Sequence, residues 1–320
     1  MALSDFVNTF GTDLKRRYGE RVHKIAINAG LSCPNRDGTK GRGGCTFCNN
    51  ASFSPSAPHP PPVADQLEAG RRVILRRTGA KRYLAYFQAY TNTYGDPRRL
   101  EDLYRQALAQ PDVVGLSVGT RPDCCPPAVL DLLASLRDQG YEVWLELGLQ
   151  SACDATLARV NRGHGFADYR AAALGARARG LPICTHLIVG LPGEGRRQAL
   201  WSLERVLDLG TDGLKLHPLH VVKQTKLAFD WRRGEYNPLS MGEYISVAAD
   251  LIERTPVWVV YHRLTGTAAT AILLAPEWCS RKWIVLNGIE AELRRRGTAQ
   301  GAMTTSASPP AGTDGRQVAA

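Results

Sequence analysis

The sequence predicts an α/β fold, a partial (β/α)6 TIM-like barrel carrying a small C-terminal extension. Two observations predict it. Short apolar, β-branched runs at 24–29, 83–89, 113–118, 143–149, 183–189 and 214–219 alternate with amphipathic stretches at 97–109, 126–139, 167–179 and 195–209. Near-continuous apolar strands separated by helices mean a parallel sheet with helical crossovers. Polar clusters then follow nearly every strand: Asn28, Gln88 to Tyr90, Gly119 to Arg121, Gln150 with Ser151, Gly190 to Glu194, and His217 to His220. Any one of these is an ordinary loop cap. Six in phase fit a barrel better than an open sheet, because a barrel gathers them on the rim at the C-terminal ends of its strands.

In chain order, residues 1–20 read as a helical lead-in and 21–236 as the barrel. After Asn237 the pattern changes to a helix-like stretch (239–253), an apolar run (257–261), a polar turn (262–267) and a closing helix (283–296). These form the extension, 237–297. Residues 298–320 are mostly Ala, Thr, Ser, Gly and Pro, the composition of a disordered tail. A hydrophobic content of 44% suffices for a core, yet no stretch approaches 18 uninterrupted apolar residues, so no membrane span is expected. The net charge of +10 suits an anionic partner, although solvated arginine-rich helix faces are the favoured account of it. With no signal peptide read at its start, the chain is expected in the cytoplasm.

Three cysteines carry the chemistry. Cys33, Cys45 and Cys48 lie in one glycine-rich segment directly after the first strand. Iron–sulfur clusters take thiolates, usually four; three leave an open iron or call for a fourth ligand from elsewhere. A structural zinc site, with His59 as the nearest fourth ligand, uses the same residue types. Plain thiols are the third reading. The remaining cysteines lie mostly in apolar runs, and Cys124-Cys125 follows no interpretable pattern.

The motifs CPNRDGTKGRGGCTFC, SVGTRPD, LELGLQSACDATLARVNRGH, HLIVGLPGE, KLHPLHVVK, HRLTGT and LLAPEWCSRKW resemble the radical S-adenosylmethionine (SAM) proteins of the YhcC/YtqA type, over residues 5–296. LELGLQS and NRGH are also similar to the radical SAM domain of the Elongator catalytic subunit, which modifies the wobble uridine of tRNA. The resemblance implies a [4Fe–4S] cluster on Cys33, Cys45 and Cys48, with SAM on the fourth iron. It implies further SAM contacts from Gln150 to the ribose, Arg162 to the carboxylate, Gly190 in the motif beside the adenine, and Gln88, Tyr90, Thr91 and Asn92 near the methionine amino group. Two positions depart from related patterns: Gly119 stands where relatives carry a glutamate, and His186 where porphyrinogen oxidases carry an aspartate. His186 reads equally as a SAM contact and as a core histidine.

At the substrate end, Lys215 and His217 share one side of a strand by alternation, and His220 falls on the other unless the chain has turned. Lys215, His217 and Cys279 are the candidate catalytic residues. Cys279 is a radical-quenching thiol on one reading and a buried apolar cysteine on the other. A basic rim of His262, Arg263, Arg281 and Lys282 with Tyr261, Trp278 and Trp283 suits a phosphate backbone and an unpaired base; the alternative is that these aromatics, Trp283 above all, pack the extension onto the barrel. The expected activity is therefore radical SAM chemistry on tRNA, at C5 of a wobble uridine, with flavodoxin or ferredoxin as electron donor. A small anionic metabolite as substrate, or a non-catalytic iron–sulfur RNA-binding module, are the alternatives.

Overall fold

The computed structural model describes residues 2–49 and 60–304. Among them the strands are β1 (Val22–Ile27), β2 (Arg82–Phe87), β3 (Val113–Thr120), β4 (Glu142–Gln150), β5 (Ile183–Val189), β6 (Gly213–Pro218), β7 (Val221–Val222), β8 (Val260–Arg263) and β9 (Leu273–Ala275). The helices are α1 (Phe10–Tyr18), α2 (Val63–Thr78), α3 (Pro97–Leu108), α4 (Pro127–Asp138), α5 (Asp154–Arg159), α6 (Phe166–Arg177), α7 (Arg196–Asp208), α8 (Lys226–Arg232), α9 (Met241–Arg254) and α10 (Lys282–Arg296). The main sheet has seven strands among the described residues, in the order β1-β2-β3-β4-β5-β6-β8, and every pairing is parallel. It is the curled half-barrel expected, with one strand more. The seventh, β8, comes from the segment assigned to the extension, so that segment is part of the barrel wall. β7 and β9 pair antiparallel in a small separate ribbon.

Strand alternation sorts the side chains into two shells. Outward residues such as Ile25, Phe87, Leu116, Leu145, Ile183 and Leu216 are buried beneath the helical layer. Inward residues form tiers along the barrel axis. Nearest the N-terminal strand ends lie Val22, Leu84, Trp144, Cys184 and Val260, sealed by Phe10 and Leu14 of α1. Two residues further along the same strands come Lys24, Tyr86, Glu146, His186, Lys215 and His262, a polar tier. Beyond it the interior opens as a cavity. The two edge strands, β1 and β8, are bridged by side chains: Lys24 Nζ lies 3.0 Å from His262 Nδ1, and the His262 ring stacks on Phe10 at 3.8 Å.

Two expectations about the C-terminal part are corrected. Residues 298–304 are folded rather than tail: Gln300 is buried and its amide donates to Pro256 O at 2.7 Å and Val259 O at 2.8 Å, while residues 305–320 lie outside the described residues. The aromatic rim also divides differently. Tyr261 is fully buried with its hydroxyl 2.7 Å from Thr255 Oγ1. Trp278 packs on Tyr244, whereas Trp283 is 71% exposed and packs nothing onto the barrel.

Candidate functional site

An open cavity at the C-terminal strand ends holds about 1330 Å³ of empty space, open solvent included. It brings together Cys33, Cys45 and Cys48 with Gln88, Tyr90, Gln150, Arg162, His186 and His217. The three cysteines therefore converge from a loop that spans sixteen positions of sequence.

That loop is held from within and from outside. Gly38, Gly43 and Gly44 adopt φ of 96°, 79° and 77°, the left-handed region where a side chain is strained. A Cβ at Gly41 would fall 2.5 Å from Asn35 Oδ1, so the turn closes only without one. Asn35 Nδ2 donates to Asn161 O at 2.6 Å, and Asn161 Nδ2 donates back to Gly44 O at 2.8 Å. This reciprocal clamp fixes the cysteine loop to the segment that carries Arg162.

The donors around the sulfurs fit a cluster. Arg162 Nη1 lies 3.4 Å from Cys45 Sγ, Asn35 Nδ2 3.8 Å from the same atom, and Arg36 Nη1 3.9 Å from Cys48 Sγ. The three thiols are free of disulfides, and burial, reinforced by neighbouring Cys45, pushes Cys48 up to about 11. Crowded thiols facing N–H donors suit sulfurs that become anionic ligands of a cationic centre. His59, the candidate fourth ligand for zinc, lies outside the described residues.

The other motifs find physical roles. In Thr120-Arg121-Pro122-Asp123, the Arg121 guanidinium pairs with Asp123 at 2.9 Å and donates to Arg162 O at 2.9 Å. Burial alone would raise the Asp123 pKa, but bonds from Arg121 and Lys40 hold it down at about 2. Gln150 and Tyr90 both have positive φ, 81° and 63°. Such strain on non-glycine residues clusters at functional sites. Gly190 does not line the cavity; its carbonyl accepts from Tyr236 Oη at 2.9 Å. Asn92 is likewise structural, its amide donating to Phe87 O at 3.0 Å and Gly119 O at 2.8 Å.

The three candidate catalytic residues separate. His217 lines the cavity beside Arg263, and His220 joins it because the chain has already left β6. Lys215 sits one tier deeper, its Nζ donating to Tyr86 Oη at 2.8 Å and to Glu146. Burial lowers Lys215 to about 7, with Glu146 opposing. Cys279 is 1% exposed, lies away from the cavity, and is pushed up to about 12 by burial.

Sequence reasoning missed Glu146. It is fully buried and receives Lys24 Nζ at 2.5 Å, Ser117 Oγ at 2.5 Å, His186 Nε2 at 2.8 Å and Lys215. Burial favours its neutral form, but Lys215 and Lys24 outweigh that and hold it well below the usual carboxylate range. Glu146, Cys184 and His186 come close enough to suggest a metal site, but the two ammonium groups already occupy the carboxylate and repel a cation. Its signal in the sequence was an acid in the middle of an apolar strand, in phase with Trp144 and Gly148.

Residues 35–206 match the Radical SAM superfamily, and residues 211–295 the Radical_SAM C-terminal domain. The chain belongs to the radical SAM superfamily. Members of this superfamily are enzymes, and the cofactors of this one are a [4Fe–4S] cluster and SAM. Protein YhcC of Escherichia coli (strain K12) is 51% identical over 310 residues, covering 97% of this chain and 99% of that protein. A tRNA uridine(34) acetyltransferase of Dehalococcoides mccartyi (strain CBDB1) is 33% identical over 159 residues, 49% of this chain and 34% of that protein. Among solved structures, archaeal Elp3 of Methanocaldococcus infernus superposes with a TM-score of 0.65 at 20% identity, over 87% of this chain and 64% of that one, a likeness of fold. No helix among the described residues is long and apolar enough to cross a membrane.

Proposed function

We propose that this radical SAM enzyme modifies tRNA at C5 of a wobble uridine, with Cys33, Cys45 and Cys48 holding the cluster. The observation that carries the cofactor part is the convergence of three thiols, Gln150 and Arg162 on one cavity. When bound, the reduced cluster supplies the electron that cleaves SAM to methionine and a 5′-deoxyadenosyl radical. The chain's own residues bind and orient. The Gln150 amide suits the ribose diol and the Arg162 guanidinium the carboxylate of SAM. Arg162 is pre-aimed by its bond to Gly148 O, 2.5 Å. Tyr86 and His186 of the polar tier floor the cavity.

The tRNA part is supported by likeness to the tRNA uridine(34) acetyltransferase over half of this chain and by the net charge of +10. Flavodoxin or ferredoxin is the proposed electron donor. A small anionic metabolite is the second reading, favoured by a cavity that Arg36, Arg121, Arg162 and Arg263 line without any carboxylate.

The test is anaerobic reconstitution with iron and sulfide, dithionite reduction, and assay of 5′-deoxyadenosine in the presence of tRNA. Cleavage that disappears in Cys45→Ala is expected, together with a changed wobble-uridine profile in tRNA from a deletion strain. A full, reducible cluster without cleavage would sink the tRNA reading and leave two others, obligate triggering by another substrate or a binding protein. An unaltered nucleoside profile would sink the tRNA reading and leave the metabolite.

A further inference from the structure

The geometry points to an anion-binding subsite on the β6–β8 side of the cavity, where Arg263, His217, His220 and Thr267 take phosphate or carboxylate oxygens of the substrate. It deepens the proposed function, since it rests on this cavity being the substrate site. Four arginines line the cavity, and three are accounted for. Arg121 is neutralised by Asp123, while Arg162 and Arg36 face the cysteine sulfurs.

Arg263 is the fourth, and it has neither partner. Among the described residues its side chain meets His217 Nε2 at 3.0 Å through Nη1, and no carboxylate lies in ion-pair range of it. Glu146, the acid of the polar tier, is saturated by Lys24 and Lys215. A second cation approaches instead: after burial, Arg263 is the cause that lowers the Lys282 pKa. A half-buried guanidinium held among cations without a counter-ion is costly. An incoming oxyanion removes that cost and matches the guanidinium fork.

The imidazoles complete the cradle as neutral donors. Burial, followed by the Arg263 charge, lowers His217 well below its ordinary value and His220 to about 4. Because His217 Nε2 accepts from Arg263, its proton sits on Nδ1. A Cβ at Gly266 would fall 2.1 Å from that Nδ1, so glycine there leaves the ring its position. His220 Nδ1 is buried without a partner. Thr267 adds an exposed hydroxyl at the cavity edge.

The experiment is anaerobic calorimetry on the full chain carrying its cluster, titrated separately with inorganic phosphate and acetate. Wild type, Arg263→Gln and Arg263→Lys are compared, with thermal unfolding as the check that each is folded. The expected result is binding weakened about tenfold or more in Arg263→Gln and partly retained in Arg263→Lys, which keeps charge but loses the fork. Preference for phosphate would assign a phosphorylated or nucleotide group, and preference for acetate a carboxylate. No binding to wild type, or equal binding to wild type and Arg263→Gln, overturns the subsite. SAM titrated into the same proteins separates the cofactor: a comparable loss for SAM would hand Arg263 to the SAM carboxylate and overturn the proposal. Failure of the proposed function shows elsewhere, as absent SAM cleavage in wild type.

Discussion

At the scale of single residues, strain and burial mark where function overrides stability. Gln150 ends β4 with φ at 81°, at a register break between Leu147 and Gln150 in the pairing with β5. The irregularity turns its amide into the cavity, and a left-handed glutamine is less stable there than glycine would be. Gln150→Gly should therefore raise stability by about 0.5–1 kcal/mol while weakening SAM binding. Urea unfolding and a SAM titration of the reconstituted protein read the two effects separately. A variant that loses stability and keeps its SAM affinity would remove Gln150 from the cofactor site. The cysteine loop was legible because its residue types admit few chemistries, and Gln150 because it follows a strand. Glu146 was not, because an acid in an apolar strand takes its meaning from partners on other strands. Lys24, Ser117, His186 and Lys215 are scattered through the chain, and only curvature brings them to one carboxylate.

At the scale of elements, the first six strands were legible to within about two residues because a parallel strand buried on both faces is a short apolar run bounded by polar turns. The seventh barrel strand was not. β8 is four residues long, follows the Thr255-Pro256 turn, and alternates Val260 and His262 inward with Tyr261 outward. It is completed by non-local partners: Tyr261 N donates to Asn8 O at 2.8 Å, and Gly213 to Lys215 of β6 pair along it. Gln300 locks this edge. It gives its amide hydrogens to Pro256 and Val259, and accepts from Asn8 N at 2.8 Å. Gln300→Ala leaves the Val259 carbonyl and the Asn8 amide without these partners in a mostly buried seam, while Pro256 O keeps its bond from Val259 N at 3.0 Å, and should cost about 1–3 kcal/mol. Chemical denaturation measures it. A cost below about 0.5 kcal/mol would show that water replaces all three bonds and that residues 298–304 contribute nothing to the seam.

At the scale of the whole molecule, the chain concentrates neutral histidine inside a basic protein, and this fixes how it responds to acid. Burial is the leading cause that lowers His164 to about 3, His186 and His220 to about 4, and His217 and His262 well below their ordinary value of 6.5. A folded-state pKa below the unfolded value means that the unfolded chain takes up protons the folded chain refuses. The stabilisation is therefore complete above pH 6.5 and is lost as pH falls toward 4, at about 1.4 kcal/mol per pH unit for each histidine. Asp123 adds its own loss only lower, between its ordinary value of 3.8 and about 2. Lys215 acts on the alkaline side: lowered from 10.5 to about 7, it makes the fold more stable as pH rises through that window. Urea unfolding at pH 7.5, 6 and 5 should show free energy falling steeply below pH 6.5. Loss of a cluster in acid would also depress stability, so the slope must be compared with that of His220→Gln. That variant should be shallower by about 1.4 kcal/mol per pH unit, because one refused proton is gone, whereas cluster loss adds equally to both slopes and cancels in their difference. Equal slopes would mean that His220 is solvated in the folded state, and its place as a dry donor in the cavity would fall with it.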